Sequence, residues 1–128
     1  MNTTPANIDQ ILAGFDETWA PRIVATMNDY AVKIARLDGE YVWHAHHDTD
    51  EVFLVLSGTV DIALRTADTE SSVRLQPNEV FVVPRGVEHR PSASTAVVLL
   101  IEPLSTLSTG DFAGEVPKHI TSTTGLET

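Results

Sequence analysis

The chain contains no cysteine. That removes disulfides, thiolate metal ligands and a cysteine nucleophile, and leaves imidazole and carboxylate as the groups able to hold a metal. Basic residues are scarce as well: eight Lys and Arg stand against eighteen Asp and Glu, for a formal net charge of −10. They are scattered without a cluster, and nucleic-acid binding runs on basic patches, so a phosphate-backbone partner is not expected. An acidic surface mildly repels anionic substrates at long range, a bias that a local metal charge reverses inside a pocket. No apolar run approaches the ~20 residues that span a bilayer. The start, Met1-Asn2-Thr3-Thr4-Pro5, lacks the basic and apolar regions of a signal peptide. A cytoplasmic location without membrane contact is the expectation.

What is present suits one ordinary domain: 128 residues, 42% apolar and 20% charged. Ile8, Ile11, Leu12 and Phe15 fall at i, i+3, i+4 and i+7, with Thr4 and Pro5 ahead as cap and first-turn residue and Gly14 behind. This predicts a short amphipathic helix over 5–14, within an N-terminal helical segment, residues 1–20. Residues 104–128 are rich in Ser, Thr and Gly and read as an extended tail, anchored by Phe112, Val116 and Ile120.

Between them, residues 21–103 are short β-rich runs punctuated by turn pairs such as Asp38-Gly39, Ser57-Gly58, Pro77-Asn78 and Arg85-Gly86. The runs predict strands at Arg22–Thr26, Tyr30–Leu37, Tyr41–Ala45, Glu51–Leu56, Val60–Thr66, Ser71–Leu75, Val80–Val83, His89–Ala93 and Ala96–Ile101. No helical pattern long enough for a crossover interrupts them, so the fold class is all-β, a sandwich or closed barrel. Val52–Leu56 and Val97–Ile101 are apolar at both parities, whereas a sheet with one solvated face alternates. Both faces are therefore expected to be covered, the outer one in a homodimer.

His44 and His46 sit two apart, so strand alternation points both imidazoles to one side as a chelating pair. Glu51 opens the next strand after a short loop, and antiparallel pairing would bring its carboxylate to the same histidines. His89 follows the rigid turn Pro84-Arg85-Gly86. Three imidazoles and one carboxylate suit Fe, Mn, Ni, Cu or Zn. Asp48 and Asp50 are candidates to hold a ligand imidazole, and Arg36 and Arg90 to clamp a substrate anion at the mouth. Phe53, Val55 and Phe81 share a parity that could line a cavity. Trp43 reads as packing, His47 as solvent-facing and His119 as inert. No inward acid besides Glu51 is evident in the strands, which tilts the reading toward oxygen chemistry or Lewis-acid isomerisation.

These residues resemble the cupin superfamily. Gly39, His44, His46, Glu51 and Gly58 match its first motif in order, with one residue fewer than usual between Gly39 and His44, and Pro84, Gly86 and His89 match its second. Asn78 replaces that motif's leading glycine and Ala93 its trailing asparagine. The stretch Trp43 to Glu51 also looks like small single-domain bacterial cupins described as mannose-6-phosphate-isomerase-like. The resemblance implies a double-stranded β-helix, an RmlC-like jelly-roll barrel, with one divalent metal held by His44, His46, Glu51 and His89. It also implies a metal-dependent enzyme of dioxygenase or isomerase type acting on a small polar molecule, the alternative being a non-catalytic metal or small-ligand binding module.

Overall fold

Glu51, Phe53 and Val55 are buried while Val52, Leu54 and Leu56 between them are half-buried, the period-two pattern of a strand with one face on a core. The computed structural model describes residues 4–126. Within them one helix, α1 (Ile8–Leu12), precedes seven strands: β1 (Arg22–Met27), β2 (Tyr30–Glu40), β3 (Glu51–Ser57), β4 (Val60–Arg65), β5 (Glu70–Leu75), β6 (Val80–Val83) and β7 (Glu88–Pro103). Every strand pairing is antiparallel. The order β1-β2-β7-β3-β6, with β4 on β7 and β5 on β4, is non-sequential, as in a double-stranded β-helix.

The architecture turns on β7. Its C-terminal part lies between β2 and β3, with Leu99 opposite both Ile34 and Leu54, and its N-terminal part pairs with β4, with Ile62 opposite Pro91. The two strands expected at 89–93 and 96–101 are thus one strand of 16 residues. Its interruption is Thr95, at φ 57°, a left-handed conformation uncommon for a β-branched residue. That local break is what the sequence pattern registered as a gap.

The strand expected at Tyr41–Ala45 does not form. This segment carries a single bridge, His44 to His89, and Glu51 does not pair back onto it, because β3 takes β6 and β7 as neighbours. The helix is also shorter than 5–14: Asn7, not Thr4, caps it, its side chain accepting from the Gln10 amide at 2.9 Å. Arg36 of β2 donates to the Leu12 and Phe15 carbonyls at 2.6 and 3.0 Å, satisfying groups that a helix end leaves without intrahelical partners. Arg36 therefore fixes the N-terminal segment to the barrel and does not clamp a substrate.

The core runs from Trp19 through Leu37, Phe53, Val55, Ile62 and Val98 to Ile120 of the tail, with Phe112 and Val116 packed against it. At Ser57-Gly58 the chain passes against the break in β7. A Cβ on Gly58 (φ +77°) would stand 2.5 Å from the Thr95 carbonyl oxygen, whereas one on Gly86 (φ +78°) would meet nothing. Both substitutions carry the left-handed strain of about 1–2 kcal/mol, and only Gly58→Ala adds overlap with backbone. Gly58→Ala is expected to lower the urea midpoint clearly more than Gly86→Ala does; equal shifts would contradict this account.

Candidate metal centre

Residues 41–46 leave the sheets but stay tied to β7: the Tyr41 amide donates to the Pro91 carbonyl at 2.9 Å, and His44 and His89 exchange both backbone hydrogen bonds at 3.1 and 2.9 Å. That exchange sets His44 opposite a residue 45 positions along the chain. The Gly86 amide donates to the His46 carbonyl at 2.9 Å, so the Pro84–Gly86 turn also positions the second histidine. Glu51 enters from the head of β3, opposite Val83 of β6.

His44, His46, Glu51 and His89 are all buried, and one donor atom from each lies within 4.8 Å of the others. The Glu51 carboxylate spans the group, with Oε2 3.6 Å from His46 Nε2 and Oε1 3.4 Å from His89 Nε2. His44 Nδ1 and His89 Nδ1 each lie 2.9 Å from a carbonyl oxygen, of Val42 and Val87 respectively. A carbonyl only accepts, so both Nδ1 atoms carry the proton and both Nε2 lone pairs face the cluster. These carbonyls orient the imidazoles; Asp50 instead accepts from the Arg85 amide at 2.8 Å.

His46 Nε2 and His89 Nε2 are buried without a hydrogen-bond partner, a cost of roughly 1–3 kcal/mol each in a dry site. Burial, reinforced by His89, pushes the His44 pKa from 6.5 down to about 4, and burial lowers that of His46. Burial alone would raise Glu51, yet the imidazoles around it, His89 first and then His46, hold it below the ordinary carboxylate range. Neutral His44 and His46 beside an ionised Glu51 are the donor states a divalent ion requires. The cluster suits one such ion.

A further polar group lies behind it. Glu102, on β7 at the parity of Val98 and Leu100, is fully buried, and its Oε1 is 3.6 Å from the Nζ of Lys33, itself buried and 3.4 Å from the Thr106 carbonyl. Burial and then the negative charge of Glu51 raise the Glu102 pKa to about 9, so it carries a proton at neutral pH. The reading that the strands hold no inward acid besides Glu51 is thereby corrected. The apolar run Val97–Ile101 hides the parity that continues into Glu102, whereas Ala31, Lys33, Ala35 and Leu37 do alternate inward. Tyr41, stacked on Trp19 with centroids 4.7 Å apart, is buried and stays protonated because burial raises its pKa. A cavity of about 30 Å³ lies among Tyr41, His44, Glu51, Phe53, Leu100 and Glu102. A groove of about 380 Å³ outside it reaches His46 beneath tail residues.

The other candidates fall elsewhere. Arg90 and Arg65 stack over Trp43 at 4.9 and 4.1 Å, with Arg90 3.5 Å from Glu40, outside the mouth. His47 is exposed and pairs with Asp111 at 2.8 Å. Asp111 also accepts from the Ala45 amide at 2.7 Å, pinning the tail to the ligand segment. His119 lies away from the cluster, its Nε2 meeting the Glu40 carbonyl at 2.8 Å. Phe53 lines the cavity and Val55 lies in the core, with half-buried Phe81 packed against it.

An antiparallel jelly roll with three histidines and a glutamate gathered inside it defines a class of protein with room for one metal. The family described as Cupin domain matches residues 34–102, and the chain belongs to it. Over 77 residues, 60% of this chain and 66% of the relative, it is 38% identical to the uncharacterized protein YdbB of Bacillus subtilis. That match spans just under two thirds of the relative. A cupin-2 domain protein of Shewanella frigidimarina is 44% identical at TM-score 0.71, covering 76% of this chain and 92% of that one. Hydroquinone 1,2-dioxygenase PnpCD, in complex with Cd2+ and 4-hydroxybenzonitrile, is 21% identical at TM-score 0.62, covering 77% and 71%, a likeness of fold. Among the described residues no helix is long and apolar enough to cross a membrane.

In the metal-free protein His44 and Glu102 act in opposite senses. His44 is depressed in the fold, so its contribution is present above pH 6.5 and lost as pH falls through about 4. Glu102 is raised, so its contribution is present below its ordinary 4.5 and lost as pH rises through about 9. Glu102→Gln is expected to flatten the alkaline limb of urea midpoint against pH while leaving the acid limb; an unchanged alkaline limb would refute the assignment.

Proposed function

We propose that this cupin is a metal-dependent enzyme of dioxygenase or isomerase type acting on a small polar molecule, with His44, His46, Glu51 and His89 holding the ion. The observation that carries it is the pair of buried, unpartnered imidazole nitrogens, His46 Nε2 and His89 Nε2, beside an ionised Glu51. The donor set admits Fe, Mn, Ni, Cu or Zn. A bound ion supplies Lewis acidity and a place for substrate or dioxygen.

The chain's own groups do the remainder. Val42 and Val87 keep the lone pairs of His44 and His89 turned inward. Phe53, Val98 and Leu100 line the cavity with apolar surface and keep bulk water out. Glu102 holds a proton beside Glu51, so a reaction that must move a proton has a carrier next to the cluster. The non-catalytic alternative, a metal or small-ligand binding module, is favoured by one observation: the inner cavity of about 30 Å³ has room for only one or two waters.

Protein purified without a histidine tag is expected to hold about one metal per chain and to lose it only as pH falls below the ordinary imidazole range toward about 4, where the buried His44 protonates. Oxygen uptake and product screens on sugars, sugar phosphates and dicarboxylates with metal-loaded protein then separate enzyme from binder. His46→Ala is expected to abolish turnover together with metal; equal turnover would take the ion out of the reaction.

We also propose a homodimer through the outer face of the sheet. Val52 pairs with Val82 and Ile101, and Leu54 with Val80 and Leu99, so these side chains share one apolar surface. Val80 and Val82 are 63% and 46% exposed on it. Light scattering is expected to give twice the 13.9 kDa chain mass, and Val80→Glu to shift it toward one; a wild-type monomer at micromolar concentration would end this proposal.

A further inference from the structure

His46 is held differently from the other two histidines. The rings of His44 and His89 are turned by the Val42 and Val87 carbonyls, whereas His46 Nε2 is unpartnered and no carbonyl is found behind its ring among the described residues. Its direction therefore rests on its backbone, and there the C-terminal tail takes part. Asp111 binds both polar groups of the buried Ala45: its Oδ1 accepts from the Ala45 amide at 2.7 Å, and its own amide donates to the Ala45 carbonyl at 3.1 Å. Peptide units are planar, so one tail residue fixes both planes between His44 and His46. The tail is itself fastened. Gly110 (φ +53°) passes so close that a Cβ there would stand 2.5 Å from the Ala45 carbonyl oxygen and 3.1 Å from His44 Cδ2. The Ser108 amide donates to the Thr123 carbonyl at 2.9 Å, the Thr109 and Ser122 hydroxyls lie 2.7 Å apart, and Phe112 packs on the core. All of this lies beyond residue 102, where the family match ends.

We propose that Asp111 is a positioning residue of the metal centre: by clamping Ala45 it sets the direction of His46, so that metal affinity depends on the tail as well as on the barrel. The inference rests on the metal reading above. Groups that orient a metal ligand from outside the coordination sphere contribute to affinity because they remove the freedom the ligand would otherwise lose on binding. A carboxylate near a cation site could also act by charge alone, and the two roles separate chemically. Asparagine at 111 keeps a carbonyl oxygen for the Ala45 amide and loses the charge, whereas alanine loses both. The other Asp111 oxygen, Oδ2, meets exposed His47 at 2.8 Å, a contact at the surface that leaves the hold on Ala45 to Oδ1 and the backbone.

Metal-free protein is titrated with Mn2+, the free ion being read by its electron paramagnetic resonance signal. Asp111→Ala is expected to weaken Mn2+ binding about tenfold, and Asp111→Asn to stay within about threefold of wild type. If Asp111→Asn falls as far as Asp111→Ala, charge and not the clamp is responsible; wild-type affinity in Asp111→Ala removes any role. Amide hydrogen exchange in the metal-free protein reads the clamp without an ion. Asp111→Ala is expected to speed exchange of the Ala45 amide at least about tenfold and to leave the His44 amide, which donates to the His89 carbonyl, as protected as before. Equal acceleration at both amides would mean a general loosening and overturns the assignment. Should Asp111→Ala fail to fold, Gly110→Ala, whose Cβ pushes the tail off Ala45, takes its place, and undiminished Mn2+ affinity there overturns the inference alone. Wild-type manganese below ~0.1 per chain would instead fail the metal reading, while the exchange comparison still decides whether Asp111 holds Ala45.

Discussion

A carboxylate taken out of water among imidazoles governs this structure. Glu51 is 4% exposed, and an ionised carboxylate is stable at that depth only with charge or donors around it. Among its neighbours, His44 and His46 are pushed toward the neutral form by their own burial, which weakens the compensation they can give. Val42 and Val87 worsen the mismatch by taking the Nδ1 protons of His44 and His89, so lone pairs face lone pairs across the cluster. A cation removes every part of this conflict at once. Turning over His44 or His89 does not do so, because their tautomers are fixed from behind.

The same constraint explains why β7 is continuous. Its N-terminal part carries His89 into the cluster and its C-terminal part carries Glu102 to the far wall of the same cavity. One continuous strand paired with β2, β3 and β4 holds these groups in register more firmly than two strands joined by a loop could. The left-handed Thr95 supplies the bend this requires, and Gly58 gives the space for it. Stability and site geometry thus meet at one backbone irregularity.

The four converging residues were legible because motif order and turn chemistry point to them: the Pro84–Gly86 turn and the His44–His46 spacing survive in the structure. The route by which they converge was not. Period-two alternation implied a strand over 41–45, whereas a bridge between His44 and His89 does the positioning. Strand pairing between distant segments leaves no local trace when both parities are apolar, as in Val97–Ile101. Glu102 was lost for that reason. Asn7 displaced Thr4 as helix cap because its side chain, itself a favoured cap, accepts from the Gln10 amide and opens the first turn there.

The interior polar groups are better understood as one linked set than as a metal site with bystanders. Lys33 meets Glu102, Glu102 lies beside Glu51, and Glu51 spans His46 and His89. Two carboxyls this close cannot both ionise without strong repulsion, and the fold assigns them different states: the imidazoles keep Glu51 ionised, while burial and Glu51 keep Glu102 protonated. A cation at the cluster would neutralise Glu51 and thereby weaken the repulsion that holds the proton on Glu102. Metal occupancy and the proton inventory of the cavity are consequently coupled through Glu51, which makes the state of Glu102 a property of the loaded site and not of the barrel alone.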